Sequence, residues 1–180
     1  CHRGFVIMTD SKPACLPFTS QGADWFLILR QQSHKQVHNM KSEVKWVGEA
    51  MFLAESGSGH CVVMDGPPDH GGRNLGPRPM EMLLMGMGGC ASFDVVSILK
   101  KSRQAVTGCV ARLEAERADE VPAVFTAIRI HFVVSGNDLK DAQVKRAVDL
   151  SAEKYCSASI MFSRAGAAVS HSYEIVADQV

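Results

Sequence analysis

The side chains most able to do chemistry in this sequence are thiols, and four of them fall where a pattern can be read: Cys61, Cys90, Cys109 and Cys156. Cys90 lies in the stretch Pro79 to Lys101, PMEMLLMGMGGCASFDVVSILKK, where Gly86, Cys90, Asp94, Ser97 and Lys101 follow steps of three and four. In a helix that spacing aligns them on one face. Gly86, Gly88 and Gly89 lack side chains, so another backbone or a substrate can come close to Cys90. A mid-helix thiol finds the local backbone donors already used. In apolar surroundings its pKa rises unless a cation or donor is supplied, and an ionised Asp94 one turn on adds to the rise. Cys156 falls between two helical patterns. If it opens the second, free N–H groups and the helix dipole favour its thiolate. Cys156 is therefore the easier thiolate and Cys90 the more sheltered one. Cys61 and Cys109 lie in strand-like segments and read as small core residues.

Other patterns carry less. His60 adjoins Cys61, but neighbours on a strand point to opposite faces. The loop at 65–79, DGPPDHGGRNLGPRP, has glycines without G-K-[ST] and without strand–glycine–helix order, so it is no phosphate or dinucleotide loop. It does carry His70, Arg73 and Arg78 shortly before the apolar stretch. There is no C-x-x-C and no Cys/His cluster at zinc-finger spacing; neither a metal nor an organic cofactor is expected for the function inferred below. The six cysteines are spread through 180 residues that are 46% apolar, a chain too large and greasy to need a disulfide framework. Cytosolic thiols, and hence a cytoplasmic protein, are expected. The formal net charge is zero, which gives no electrostatic ground for binding nucleic acid or an anionic membrane.

The elements that must position these groups can be read in order. Residues 1–39 are broken by Pro13, Pro17 and Gly22 and end in a polar run. They are expected to be a disordered or non-native N-terminal extension, with the domain spanning 40–180. Residues 43–64 read as a β-meander turning at Gly57-Ser58-Gly59. Residues 79–101 read as a long helix, apolar all round and so buried on nearly every side. Its uncharged run, Met82 to Phe93, is twelve residues, short of the roughly 20 of a membrane span. Alternation over 111–116 and 128–134 predicts two strands joined as an antiparallel pair. A helix follows, capped by Ser135 or Asn137, with Val144, Val148, Ala152 and Tyr155 as its buried stripe. Ser157 to Arg164 gives a short helix stopped by Gly166, and 169–176 a closing strand with Val169, Tyr173 and Ile175 inward.

This order, with the segments PMEMLLMGMGGCASFDVVSIL and VDLSAEKYCSASIM, resembles the OsmC/Ohr family of osmotically inducible and organic-hydroperoxide-resistance proteins over about 40–180, most of all its YhfA-type branch. The resemblance implies an α+β fold of antiparallel sheets packed on long buried helices, assembled as an intertwined homodimer with two thiols per site. By position, Cys90 would be the peroxidatic thiol that attacks an organic hydroperoxide and Cys156 the thiol that resolves the sulfenic acid as a disulfide. Glu81 is the nearest match to the family's activating Glu. The chain departs from the peroxidase pattern in three places. Residues 43–64 hold no arginine, Glu81 stands nine residues before Cys90 rather than ten, and Ser157 replaces the usual proline.

The function expected is therefore a dimeric thiol peroxidase-like protein served by an external thiol reductant. The alternative is a binding protein for a small apolar or electrophilic molecule, with Met80, Met82, Met85, Met87 and Met161 as an adaptable lining. For an activating cation, Arg73, Arg78 and Arg164 are the candidates.

Overall fold

The computed structural model describes residues 39–177, so the expected N-terminal extension lies outside the described residues save for its last position. Three short strands come first: β1 (Ser42–Gly48), β2 (Met51–Ser56) and β3 (Cys61–Met64), an antiparallel meander in that order. The register sets Val44 and Trp46 opposite Ala54 and Phe52, which in turn face Val62 and Met64. Facing partners project from the same side of a sheet, so these six form one apolar face. Trp46 on that face is 68% exposed. Cys61, expected in the core, is exposed instead. It opens an edge strand and pairs with Glu55, which puts it on the charged side of the meander.

After β3 the chain loops at Asp65. This buried carboxylate accepts the N–H groups of Gly66 (2.8 Å), Arg73 (2.9 Å) and Leu75 (3.1 Å). These bonds, that of Leu75 foremost, hold its pKa below the usual carboxylate range. Their contribution to stability is present above the ordinary carboxylate pKa and is lost as pH falls through the lowered folded value.

The loop delivers Pro79 to the start of α1 (Pro79–Lys101). Pro79 costs no helical bond there, and Glu81 Oε2 accepts the Arg78 N–H at 2.9 Å, closing the first turn. By composition alone α1 is long and apolar enough for a membrane span, an 18-residue window of it reaching a mean hydropathy of 1.7. One face of the helix is protein core: Met87, Ala91, Val95 and Leu99 form a row that is fully buried. Burial on nearly every side is not what the protomer provides. Leu83, Met85 and Phe93 are 49%, 50% and 73% exposed, because sheet and helices cover only the face bearing the buried row. Of the glycines near Cys90, only Gly88 marks a close approach. A Cβ there would sit 2.7 Å from Leu113 Cδ1, whereas at Gly86 and Gly89 it would meet open space.

The second sheet holds β4 (Ala105–Arg117), β5 (Phe125–Asn137) and β6 (Ala168–Val176), in that order. β4 and β5 form the expected antiparallel pair, and Ile128, Ile130, Phe132 and Val134 of β5 are buried. β6 departs from the all-antiparallel expectation by joining β5 in parallel. A parallel neighbour requires a crossover. It is supplied by α2 (Asp141–Leu150), a π-helical turn (Ser151–Tyr155) and α3 (Ser157–Arg164). Ser135 and Asn137, expected to cap α2, remain paired in β5, and Lys140 occupies the cap position without a side-chain cap bond. Val144, Ala147 and Val148 are buried as α2 requires, but Tyr155, on the wider π turn, is 49% exposed.

Because Leu99 is fully enclosed at the core end of α1, Leu99→Ala is expected to lower unfolding free energy by about 2–5 kcal/mol, read by chemical denaturation.

Candidate functional site

The site begins with the row that α1 buries. Ala91 belongs to that row, and its carbonyl accepts the hydroxyl of the buried Ser151 at 3.2 Å. This bond pins the π turn against α1 one residue from Cys90. The turn closes with the Cys156 N–H donating to the Ser151 carbonyl at 2.9 Å. Cys156, fully buried, then becomes the N-cap of α3, its sulfur accepting the Ser159 N–H at 3.4 Å. The reading of Cys156 as the opening residue of the last helix is thus met.

The same helix terminus serves Cys90, which lies half-buried across from it. Burial pushes the Cys90 thiol above the ordinary cysteine range. The Ala158 N–H pulls it back, and the Cys156 sulfur and the Asp94 charge add to the rise. Cys90 Sγ, Cys156 Sγ and a carboxylate oxygen of Asp94 all lie within 4.8 Å of one another. Asp94 Oδ2 is shielded from solvent and has no hydrogen-bond partner among the described residues. Burial raises the Asp94 pKa, with the charge of Lys101 acting in the opposite sense. The described cysteines are all free thiols.

The structure therefore brings Cys90 and Cys156 together, and Asp94 with them. It leaves Glu81 at the start of α1, nine residues upstream of Cys90 and about 13 Å away along the axis, occupied in the capping bond to Arg78. Of the candidate cations, Arg73 pairs with Glu49 at 3.4 Å, Arg78 precedes α1, and Arg164 is exposed in the last turn of α3. None is among the largest influences on Cys90. The methionines do not share one lining. Met87 is core, Met85 and Met161 are 50% and 70% exposed, and Met80 lines a groove of ≈ 610 Å³ with Leu84, Phe125, Arg78 and Arg117. Cys109, on β4, is half-buried, its thiol pushed up by burial and eased by the Ser92 hydroxyl.

Two groups were not read from sequence. Ser151 looked like any polar residue late in a helix; a small hydroxyl one turn before a helix-opening cysteine was the signal available. His171, on the inner face of β6, stacks on Phe132 with ring centroids 6.4 Å apart and lies 3.4 Å from Ser159 Oγ, its pKa lowered by burial.

A long cysteine-bearing helix packed on a three-stranded sheet, with a second cysteine capping the last helix beside it, defines an α+β dithiol domain. A family model described as OsmC-like protein matches residues 70–172. Protein YhfA of Escherichia coli strain K12 is 54% identical over 138 residues, which make up 77% of this chain and 99% of that protein. The chain belongs to the OsmC family. Among solved structures, a hypothetical protein from Aquifex aeolicus VF5 is 30% identical at a TM-score of 0.68, covering 78% of this chain and 98% of that one. An organic hydroperoxide resistance protein OsmC from Legionella pneumophila is 14% identical at a TM-score of 0.59, covering 78% and 99%, a likeness of fold alone.

The raised Cys90 thiol sets a pH dependence. The thiolate is the reactive form, and burial and the Asp94 charge both oppose it. Alkylation of Cys90 by iodoacetamide, quantified by mass spectrometry of its peptide, is expected to climb with a midpoint above that of a free cysteine. Asp94→Asn should move that midpoint down.

Proposed function

We propose that this chain is a thiol-dependent reductase of organic hydroperoxides, in which Cys90 attacks and Cys156 resolves. The observation that carries the reading is the proximity of the two sulfurs, within 4.8 Å, on two rigid elements. The Cys90 thiolate attacks the distal oxygen of the hydroperoxide, the O–O bond breaks, and the alcohol leaves with a proton. The resulting Cys90 sulfenic acid is attacked by the Cys156 sulfur, which expels water and forms a disulfide. An external dithiol then returns both groups to thiols, so a reducing compartment such as the cytoplasm suits the cycle. The Ala158 N–H aimed at Cys90 supports the thiolate in the place of an arginine. Glu81 has no role in this scheme beyond capping α1.

The assembled form we propose is a homodimer. The support is the apolar surface one protomer leaves open: Val44 and Trp46 on the meander, and Leu83, Met85 and Phe93 on α1. A second reading, a binding protein for a small apolar or electrophilic molecule with little turnover, draws support from the raised Cys90 thiol and the lack of a cation among its main influences.

Stopped-flow oxidation with cumene hydroperoxide separates the two. The wild type is expected to outpace a free thiol of ordinary pKa. Cys90→Ser should reduce the rate to background, and Cys156→Ser should leave one oxidation event and a trappable sulfenic acid. A wild-type rate no greater than that of the free thiol would leave the binding reading in front. Light scattering at micromolar concentration should return the mass of two chains; a folded monomer would contradict the assembly.

A further inference from the structure

The thiol pair and Asp94 form a set that peroxide chemistry does not use as a unit. We propose that Cys90, Asp94 and Cys156 constitute a three-ligand site for a thiophilic divalent cation, Zn²⁺ above all. This goes beyond the peroxide reading and stands without it. The expectation of no metal stood beside the absence of any motif of closely spaced ligands. Here the ligands come from one helix face and from the cap of another helix, so spacing along the chain does not reveal them.

The donor set fits the cation. Two thiolate sulfurs and one carboxylate oxygen suit zinc, and three protein ligands leave a fourth tetrahedral position open to water or a small ligand. Zn–S bonds of about 2.3 Å and Zn–O bonds of about 2.0 Å place tetrahedral ligand atoms roughly 3.5–3.8 Å apart. The three atoms already lie within 4.8 Å of one another, so side-chain rotation by a fraction of a bond length closes the set. Asp94 Oδ2 is the buried side-chain oxygen that finds no hydrogen-bond partner among the described residues, a costly state that a cation beside it would relieve. The Ser159 N–H on Cys156 and the Ala158 N–H facing Cys90 stand as outer donors to the two sulfurs, the kind of second layer that orients thiolate ligands. Ser151 bonded to Ala91 holds the two halves of the site together before any ion arrives.

The binding step balances without a redox partner. Each thiol gives up one proton, the Asp94 carboxylate joins as the anion, and Zn²⁺ takes three bonds, with two protons released to solvent. Metal and disulfide exclude each other, because an S–S bond between Cys90 and Cys156 consumes both thiolates.

The test is titration of the reduced full chain with Co²⁺, then displacement by Zn²⁺. One Co²⁺ per chain is expected, with sulfur-to-cobalt charge transfer and tetrahedral d–d absorption, both removed by Zn²⁺. Cys90→Ser and Cys156→Ser should each lose the charge-transfer band seen for two sulfurs. Asp94→Asn should weaken binding by about tenfold or more, with partial recovery in Asp94→Glu. A chain with serine at positions 1, 15, 61 and 109 should bind as the wild type does. If it fails to fold by circular dichroism, the four single serine variants replace it, with the same expectation. Protein oxidised to the Cys90–Cys156 disulfide, verified by mass spectrometry, should bind no Co²⁺. Unchanged affinity and spectrum in Asp94→Asn, retained binding in the disulfide form, or binding lost with the other four cysteines would each overturn the site. Cobalt binding without peroxide turnover removes the peroxide reading alone; turnover without cobalt binding removes the metal site alone.

Discussion

Ala91 sits where α1 meets the crossover that precedes β6, and its small side chain and the second lone pair of its helical carbonyl admit the Ser151 hydroxyl at close range. A larger residue at that fully buried position would hold the π turn away from α1. The Ser151 hydroxyl would then lose the Ala91 carbonyl and be left a buried, unsatisfied donor. Cys156 and the first turn of α3 would retreat with it, and the N–H groups of Ala158 and Ser159 would no longer face the two sulfurs. One helix–turn contact thus governs the distance between thiols, their hydrogen bonding and their relation to Asp94.

The charge balance of the site follows from that geometry. Two sulfurs and a carboxylate converge where apolar packing excludes much of the water: burial, the Cys156 sulfur and the Asp94 charge oppose ionisation of Cys90, and burial raises the pKa of Asp94. The opposing influences are two backbone N–H groups and the more distant Lys101. Such an arrangement favours the protonated Cys90 thiol at rest and makes its ionisation depend on what enters the site, whether an electrophile that draws charge from Cys90 or a cation beside it.

Local pattern carried much of the fold. Pro79 and the paired lysines marked both ends of α1, and alternation in 128–134 marked β5, because these signals act over one or two turns or along a single strand. The parallel union of β6 with β5 was not legible, since strand direction depends on the path of the intervening helices. Nor was the π turn, one extra residue in a helical stretch whose apolar spacing ran on through Tyr155. In the site, residue type and the three-and-four spacing marked Cys90 with Asp94, the junction of two helical patterns marked Cys156, and the family resemblance supplied the pairing of the two thiols. The Ala158 N–H escaped notice because a backbone donor has no letter in the sequence; Glu81 drew attention because it has one, although its oxygen is spent on the Arg78 N–H.

The parallel placement of β6 also fixes when the site comes into being. On the ribosome, α1 and the β4–β5 hairpin emerge complete while Ser151, Cys156 and β6 are still unsynthesised or inside the exit tunnel. The nascent chain then holds Cys90 without its neighbour sulfur and without the Ala158 N–H. Only when β6 has zipped along β5 is the crossover drawn taut over α1. The dithiol centre is thus completed last, and a half-made chain presents Cys90 to oxidants without the neighbouring sulfur that could form a disulfide with it.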